Sequence, residues 1–356
     1  VPALGQLLSV KRASAHREFA GLCVLVQHNQ TEPMKALVFR KYGSPDSLEI
    51  QDVETPGPAD DQVLVKVKAV SVNDWDWGLL CGSPFFPNRF SAGLVKPRII
   101  IGSDIAGVVE SVGTKVSSFK PGDEVYGDLS DCGFGGFAEY VCAPQDAVSI
   151  KSPNMSFEQA AAIPQAGMLA LQGIMAGGKP EPGQSVLING AGGGVGSIAI
   201  QLLKLEDIEV TGVDSAAKLG DMRAWGFDQV IDYRKEDFTR IGKRYDLIID
   251  AKTNRSPADY ERALKPGGVY ATVGGKLLGL LRIALSGLRP GRARGTKLRV
   301  IALQTNRDLP YFNELFEAGK FKPVIDSEFE FTNHDVRTAF HHFGAAAHKG
   351  KIVVRI

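Results

Sequence analysis

Between Ser185 and Leu203 the chain reads Ser-Val-Leu-Ile-Asn-Gly-Ala-Gly-Gly-Gly-Val-Gly-Ser-Ile-Ala-Ile-Gln-Leu-Leu, an apolar run, a turn of glycines, then a helical pattern. A second apolar run, Glu209 to Val213, leads into Asp214, about 20 residues beyond the glycines. A Cβ in such a turn would block the tight bend and hold backbone N–H groups away from a ligand, so the glycines predict a pyrophosphate at a helix N-terminus. Gly192, Gly193, Gly194, Val195 and Gly196 are therefore the candidate phosphate-binding residues.

The surroundings repeat that pattern. Val186–Asn189, Glu209–Val213, Gln229–Ile231, Leu247–Asp250 and Val269–Val273 read as strands, with helices expected at 196–206, 216–225 and 257–264. Strands alternating with helices give βαβ units and a parallel sheet covered on both faces. From Met34 to about Ile150 the texture differs. Short β-branched runs (Val63–Val70, Ile99–Ile101, Ala106–Val112, Glu124–Tyr126, Ala138–Val141) are separated by Gly113, Pro121-Gly122-Asp123 and Gly133–Gly136, which predicts a mostly antiparallel β unit. Beyond Leu309, helices at about 309–319 and 333–347 and a last strand, Lys351–Ile356, lack a core of their own and are expected to return to that β unit. The fold class is α/β.

Charge and composition exclude several functions. Forty-one Lys plus Arg against 40 Asp plus Glu leaves a formal net charge of +1, so the whole molecule carries no footprint for nucleic acid. Cys23, Cys81, Cys132 and Cys142 form no C-x-x-C pair and no disulfide framework, which points to a reducing, cytoplasmic setting. The six histidines leave residues 29–333 without one, so most of the body supplies no His metal ligand or general base, and no metal site is expected. Residues 1–33 carry one short apolar run, Gly21 to Val26, and read as an N-terminal extension or a poor transit peptide.

The cofactor's identity turns on the residues just past the second strand. Asp214 could accept from an adenosine ribose diol, favouring NADH, whereas Ser215, Lys218 and Tyr233 offer a hydroxyl, a cation and a phenol for a 2′-phosphate, favouring NADPH. The balance goes to NADPH, with NADH as the alternative. Lys276 to Arg299 contains seven basic residues and no acidic one, and its first half, Leu277 to Leu288, is very apolar. It reads as a buried helix at a subunit interface, a lid over the substrate entrance, or a peripheral membrane contact through 277–299.

With these features in place, the chain resembles the zinc-independent medium-chain dehydrogenases/reductases, in their quinone oxidoreductase-like and alkenal-reductase branch. The likeness rests on Met34-Lys-Ala-Leu-Val, Ala69-Val-Ser-Val-Asn73 with Asp76, Gly102-Ser-Asp-Ile-Ala-Gly-Val-Val-Glu110, Lys120-Pro-Gly-Asp-Glu-Val-Tyr-Gly127, Gly136-Phe-Ala-Glu-Tyr140, Ala191–Gly196 and Lys322-Pro-Val-Ile-Asp326. The resemblance implies a GroES-like catalytic domain from 34–156 and 304–356, a Rossmann domain from 157–303, a cleft between them, and a homodimer. Where zinc alcohol dehydrogenases have Gly-His-Glu this chain has Gly102-Ser103-Asp104, and where they place a first cysteine ligand it has Asn73. The family's usual threonine in the helix leading to the second domain is Leu169, and its aromatic residue after Asn-x-x-Asp is displaced to Trp75 and Trp77.

Without a metal or a nearby histidine, alcohol oxidation would lack an electrophile and a proton relay, whereas a quinone or α,β-unsaturated carbonyl accepts hydride at an already electrophilic carbon. The expected activity is therefore NADPH-dependent reduction of such a small molecule. Asn73 is the candidate for placing substrate or nicotinamide ribose, and Tyr126 a candidate oxyanion donor, each with a structural alternative. Gly274, in Val273-Gly274-Gly275, resembles the loop that approaches nicotinamide, and Asp76 and Asp104 read as turn organisers. The competing function is a non-catalytic NADPH-binding redox sensor or membrane-associated scaffold.

Overall fold

A computed structural model describes residues 32–83, 88–89, 93–97, 99–288 and 295–356. The extension expected over 1–33 lies almost wholly outside the described residues.

Six strands, β8 (Ser185–Asn189), β9 (Glu209–Asp214), β10 (Gln229–Asp232), β11 (Tyr245–Asp250), β12 (Leu264–Thr272) and β13 (Lys297–Val300), form one sheet in the order β10-β9-β8-β11-β12-β13. Every pairing is parallel. All five residues of β8 are buried, as a central strand covered on both faces requires. Chain order reverses direction between β8 and β11, which opens a crevice at the carboxyl ends of those strands. There Asn189 Nδ2 donates to Asp250 Oδ1 at 2.8 Å, fixing the crevice floor. The strand β13 departs from the sequence expectation, because it lies inside the basic segment and buries only Leu298 of its four residues.

The second sheet runs β14 (Ile325–Glu330), β15 (Lys351–Arg355), β3 (Gln62–Ser71), β4 (Asp104–Val112), β5 (Glu124–Asp128), β7 (Ser149–Ile150), with β6 (Tyr140–Pro144) also on β3, while β1 (Met34–Phe39) and β2 (Leu48–Val53) form a hairpin. The last strand does return to this unit, pairing antiparallel with β3 from Val353↔Ser71 to Arg355↔Ala69. Ile99–Ile101 is not a strand. Ile101 O accepts from Phe137 N at 3.0 Å, and the chain then turns through Gly102 at φ +111, where a Cβ would lie 2.4 Å from Phe137 N.

Helix Pro164–Ile174 and helix Gly194–Leu203 pack on each other beside the parallel sheet. One buried cluster runs from Ile188, Val210 and Ile249 through Met168 and Ile198 to Ala69, Ala106, Tyr126 and Phe312, so the two sheets share a hydrophobic junction. That junction lies directly beneath the glycine turn and positions the site.

Candidate active site

The glycine turn folds as its sequence predicts. Gly190 adopts φ +86, Gly193 precedes the first turn of helix Gly194–Leu203, and a Cβ on Gly196 would sit 2.2 Å from Ala191 O. Gly193, Gly194 and Val195 stay partly exposed, and a Cβ on Gly193 would meet nothing nearer than Gly190 O at 3.6 Å. Gly193 N itself donates to Gly190 O at 3.3 Å, and the helix start that follows it forms a cradle that fits a dinucleotide pyrophosphate.

Asp214 does more than await a ribose. Its Oδ2 accepts from Gly192 N at 2.9 Å and its Oδ1 from Ser215 N at 2.8 Å, so the carboxylate ties the end of β9 to the glycine turn. Lys218 lies over Gly192, whose Cβ would meet its Cδ at 2.5 Å; the residue is 5% exposed and its ammonium approaches Asp214 only at 4.0 Å. Burial pulls the Lys218 pKa down, with Asp214 opposing and Lys252 adding to the effect. A buried cation without a close hydrogen bond is suited to a phosphate. Tyr233 is 45% exposed just past β10, its N–H donating to Asp214 O at 3.2 Å, with the Arg234 guanidinium 5.6 Å from its ring. Ser215, Lys218 and Tyr233 therefore share the rim beyond β9.

Gly274 lies beside the same crevice. A Cβ there would be 3.1 Å from Ala251 O, and one on Gly190 would be 3.3 Å from Ala251 Cβ, so both glycines flank the end of β11. The Gly274 carbonyl accepts from Thr253 Oγ1 at 2.6 Å and Thr272 Oγ1 at 2.8 Å, which fixes the loop.

Below the turn lies a polar junction whose central member no sequence motif marks. Lys351, at the start of β15, is 4% exposed; its Nζ donates to Asn73 Oδ1 and pairs with Asp104 Oδ2 at 3.3 Å, and its stem passes where a Gly194 Cβ would be, 2.7 Å away. Asn73 Nδ2 donates to Ser103 Oγ at 3.0 Å, so both ends of this amide are engaged within the protein. Asp104, fully buried, also accepts from Gln165 N at 3.1 Å, in the first turn of helix Pro164–Ile174, and from Ser71 Oγ at 3.3 Å. Burial raises its carboxyl above the usual range, with Lys351 the strongest opposing pull. Asp104 thus opens β4 and joins it to β3 and to the start of helix Pro164–Ile174, where the sequence predicts that it organises a turn. Asp76 organises its turn as expected, accepting from Asn73 N at 2.9 Å and Gly102 N at 2.8 Å, while burial pushes its pKa to about 7. A carboxamide, a hydroxyl and a carboxylate already holding an ammonium do not fit a zinc ion, which takes Cys, His or free carboxylate ligands.

Tyr126 requires a correction. Its ring is fully buried, its hydroxyl donates to Leu309 O at 2.8 Å and lies 3.1 Å from Asn313 Oδ1, and burial moves its pKa further up. That hydroxyl ties β5 to helix Leu309–Glu317 and is not available to an oxyanion. Trp77 packs on Gly344 and Phe343 in the core, while Trp75 is 43% exposed.

Comparison with known proteins agrees with this architecture. Residues 59–154 match the family described as alcohol dehydrogenase GroES-like domain, and residues 225–354 the family described as zinc-binding dehydrogenase. The 2-methylene-furan-3-one reductase of Solanum lycopersicum is 32% identical over 352 residues, covering 96% of this chain and 84% of the relative. The chloroplastic NADPH-dependent alkenal/one oxidoreductase of Arabidopsis thaliana is 31% identical over 351 residues, with the same coverage of 96% and 84%. Among solved structures, the quinone oxidoreductase from Coxiella burnetii superposes with a TM-score of 0.79 at 28% identity, over 91% of this chain and all of that one.

Proposed function

The chain belongs to the quinone-oxidoreductase-like branch of the medium-chain dehydrogenases/reductases, an NAD(P)-dependent oxidoreductase family, and from that premise we propose that it reduces a quinone or an α,β-unsaturated carbonyl with NADPH, without zinc. The observation that carries this reading is the open glycine cradle, with Lys218 over one side and a metal-unfriendly Asn73–Lys351–Asp104 junction beneath it. NADPH supplies the hydride. The helix start from Gly194 to Gly196 holds the pyrophosphate, Lys218 with Ser215 and Tyr233 takes the 2′-phosphate, and Gly274 shapes the nicotinamide end. Asn73 contributes by holding Lys351 and Ser103 in place. An activated acceptor asks little more than alignment and exclusion of water, and its proton comes from solvent.

The proposed domains are 34–156 with 304–356, and 157–303, and the proposed setting is a reducing cytoplasm, supported by the unbridged thiols of Cys81, Cys132 and Cys142. The proposed assembly is a homodimer. Helix Leu277–Gly287 supports it by burying Ile283 while leaving Leu278 61% and Leu285 67% exposed on its other face. Exposed Lys276, Arg282, Lys297 and Arg299 around those leucines support peripheral contact with anionic lipid as a second reading; Arg289, Arg292 and Arg294 lie outside the described residues. No helix among the described residues is long and apolar enough to cross a membrane.

The test is NADPH oxidation by the purified chain with an ortho-quinone and a short enal side by side, with an NADH control and a chelator arm. Saturable, chelator-insensitive turnover with NADPH is expected. Tight NADPH binding without turnover on either acceptor would move the function to the sensor or scaffold reading.

A further inference from the structure

The last turn before β15 closes on the glycine cradle. Gly350 N donates to Gly192 O at 3.2 Å, and Gly350 forms a parallel bridge with Gly193. The preceding residue is pinned twice, Lys349 N donating to Asp326 Oδ1 and Lys349 Nζ pairing with Asp221 Oδ2, each at 2.8 Å. His348 is therefore held by its neighbours, and its ring stacks face to face on Phe343 with centroids 4.8 Å apart and planes 8° apart. Its Nδ1 is buried and has no hydrogen-bond partner. A fixed ring with an orphaned nitrogen is a costly arrangement unless a ligand completes it.

Lys218 and Lys252 both act electrostatically on His348, and burial together with these two cations pushes its pKa down to about 3, so the ring is neutral and one nitrogen carries a proton to donate. Lys252 lies across Gly190, whose Cβ would meet its Cε at 3.1 Å, and its exposed ammonium has no hydrogen-bond or ion-pair partner among the described residues. The nearby carboxylates are already engaged: Asp214 by two backbone amides, Asp326 by His342 at 2.7 Å and by Lys349. The cradle is left with one buried ring nitrogen that no group among the described residues fills.

We propose that His348 and Lys252 are ligands to a phosphate of the dinucleotide, so that the C-terminal segment completes the cofactor site. This rests on the NADPH reading above and adds to it two residues from outside the glycine fingerprint. The phosphate is either the pyrophosphate beside Gly193 or the 2′-phosphate beside Lys218, since His348 lies two residues before the Gly350–Gly193 bridge and Lys252 lies across Gly190.

The test is direct binding by the full chain, followed by NADPH and NADH fluorescence, with no acceptor present. His348→Phe keeps the stack on Phe343 and removes the donor, and His348→Asn restores an N–H near the position of Nδ1. His348→Phe and Lys252→Met are expected to weaken binding by at least about tenfold, what one charge-assisted hydrogen bond contributes, with His348→Asn recovering most of it. Equal losses for both dinucleotides assign the pyrophosphate; a loss confined to NADPH assigns the 2′-phosphate. Affinities within about twofold of the native chain in both variants overturn the proposal. Should His348→Phe melt early, imidazole nitrogen NMR of the native chain decides: a His348 Nδ1 shift on adding NADPH supports the contact, and its absence overturns it. A native chain that binds neither dinucleotide would instead sink the NADPH reading itself.

Discussion

Lys351→Met is the perturbation that most sharply tests the junction beneath the glycine turn. The lysine side chain is 5% exposed and its Asp104 partner fully buried, so removing the ammonium leaves a carboxylate in the interior held by neutral donors, Gln165 N, Ser71 Oγ and the Asn73 side chain. Breaking a buried pair from one side costs about 3–5 kcal/mol, whereas replacing both members by apolar residues recovers most of that loss. Lys351→Met and Asp104→Leu should each destabilise the chain on that scale, and the double variant should be more stable than either. The pH dependence has a definite sign. Asp104 already has a raised pKa in the fold, and losing its strongest opposing charge raises it further. A carboxyl that binds its proton more tightly when folded gives its full stability below the unfolded value of about 3.9 and loses it as pH rises toward the folded value. The gap between native chain and Lys351→Met, measured by urea denaturation with tryptophan fluorescence, should therefore widen as pH rises through the folded value of the native carboxyl. Single losses below about 1 kcal/mol that simply add in the double variant, or a gap flat in pH, would refute the pairing.

The cradle, its rim and the buried tyrosine each give a further expected outcome. Gly194→Asp places a Cβ 2.7 Å from Lys351 Cδ and a negative charge at the helix start, so NADPH affinity by fluorescence titration should fall at least about a hundredfold; an unchanged affinity would remove the cradle from the cofactor site. Lys218→Ala should raise the NADPH Kd about tenfold while leaving NADH within about threefold, and equal losses would deny it the 2′-phosphate. Tyr126→Phe strips the donor from Leu309 O and should lower stability by about 1–2 kcal/mol with kcat on the preferred acceptor unchanged; a large kcat loss at native stability would return Tyr126 to the chemistry.

What the sequence reveals and what it hides divide by contact distance along the chain. The glycine turn is legible because the strand, bend, helix and acidic residue that mark it lie in one stretch from Ser185 to Asp214, and its glycine spacing is a backbone requirement. The same local logic finds the five strands it names in the parallel sheet. It misses β13, where Lys-Leu-Arg-Val buries a single residue, and β14, whose Asp326, Glu328 and Glu330 disguise an edge strand closed by Arg355. It also assigns a strand to three isoleucines at 99–101, because an apolar run does not show that the chain must turn at Gly102.

The polar junction is hidden for a different reason, since Lys351 and Asn73 stand 278 positions apart and no spacing rule links them. A weaker signal is nevertheless present. Lys351 opens a strand whose next three residues, Ile352, Val353 and Val354, are all buried, and Asp104 opens one that continues Ile105-Ala106. A charge at the head of a buried apolar run cannot be left unpaired in the interior. Two such charges of opposite sign, one in each apparently incomplete part of a domain, are each other's most economical partners. Pairing them on that ground joins the C-terminal strand to β4 through β3, brings Gly350 against the glycine turn, and thereby sets His348 beside the phosphate cradle.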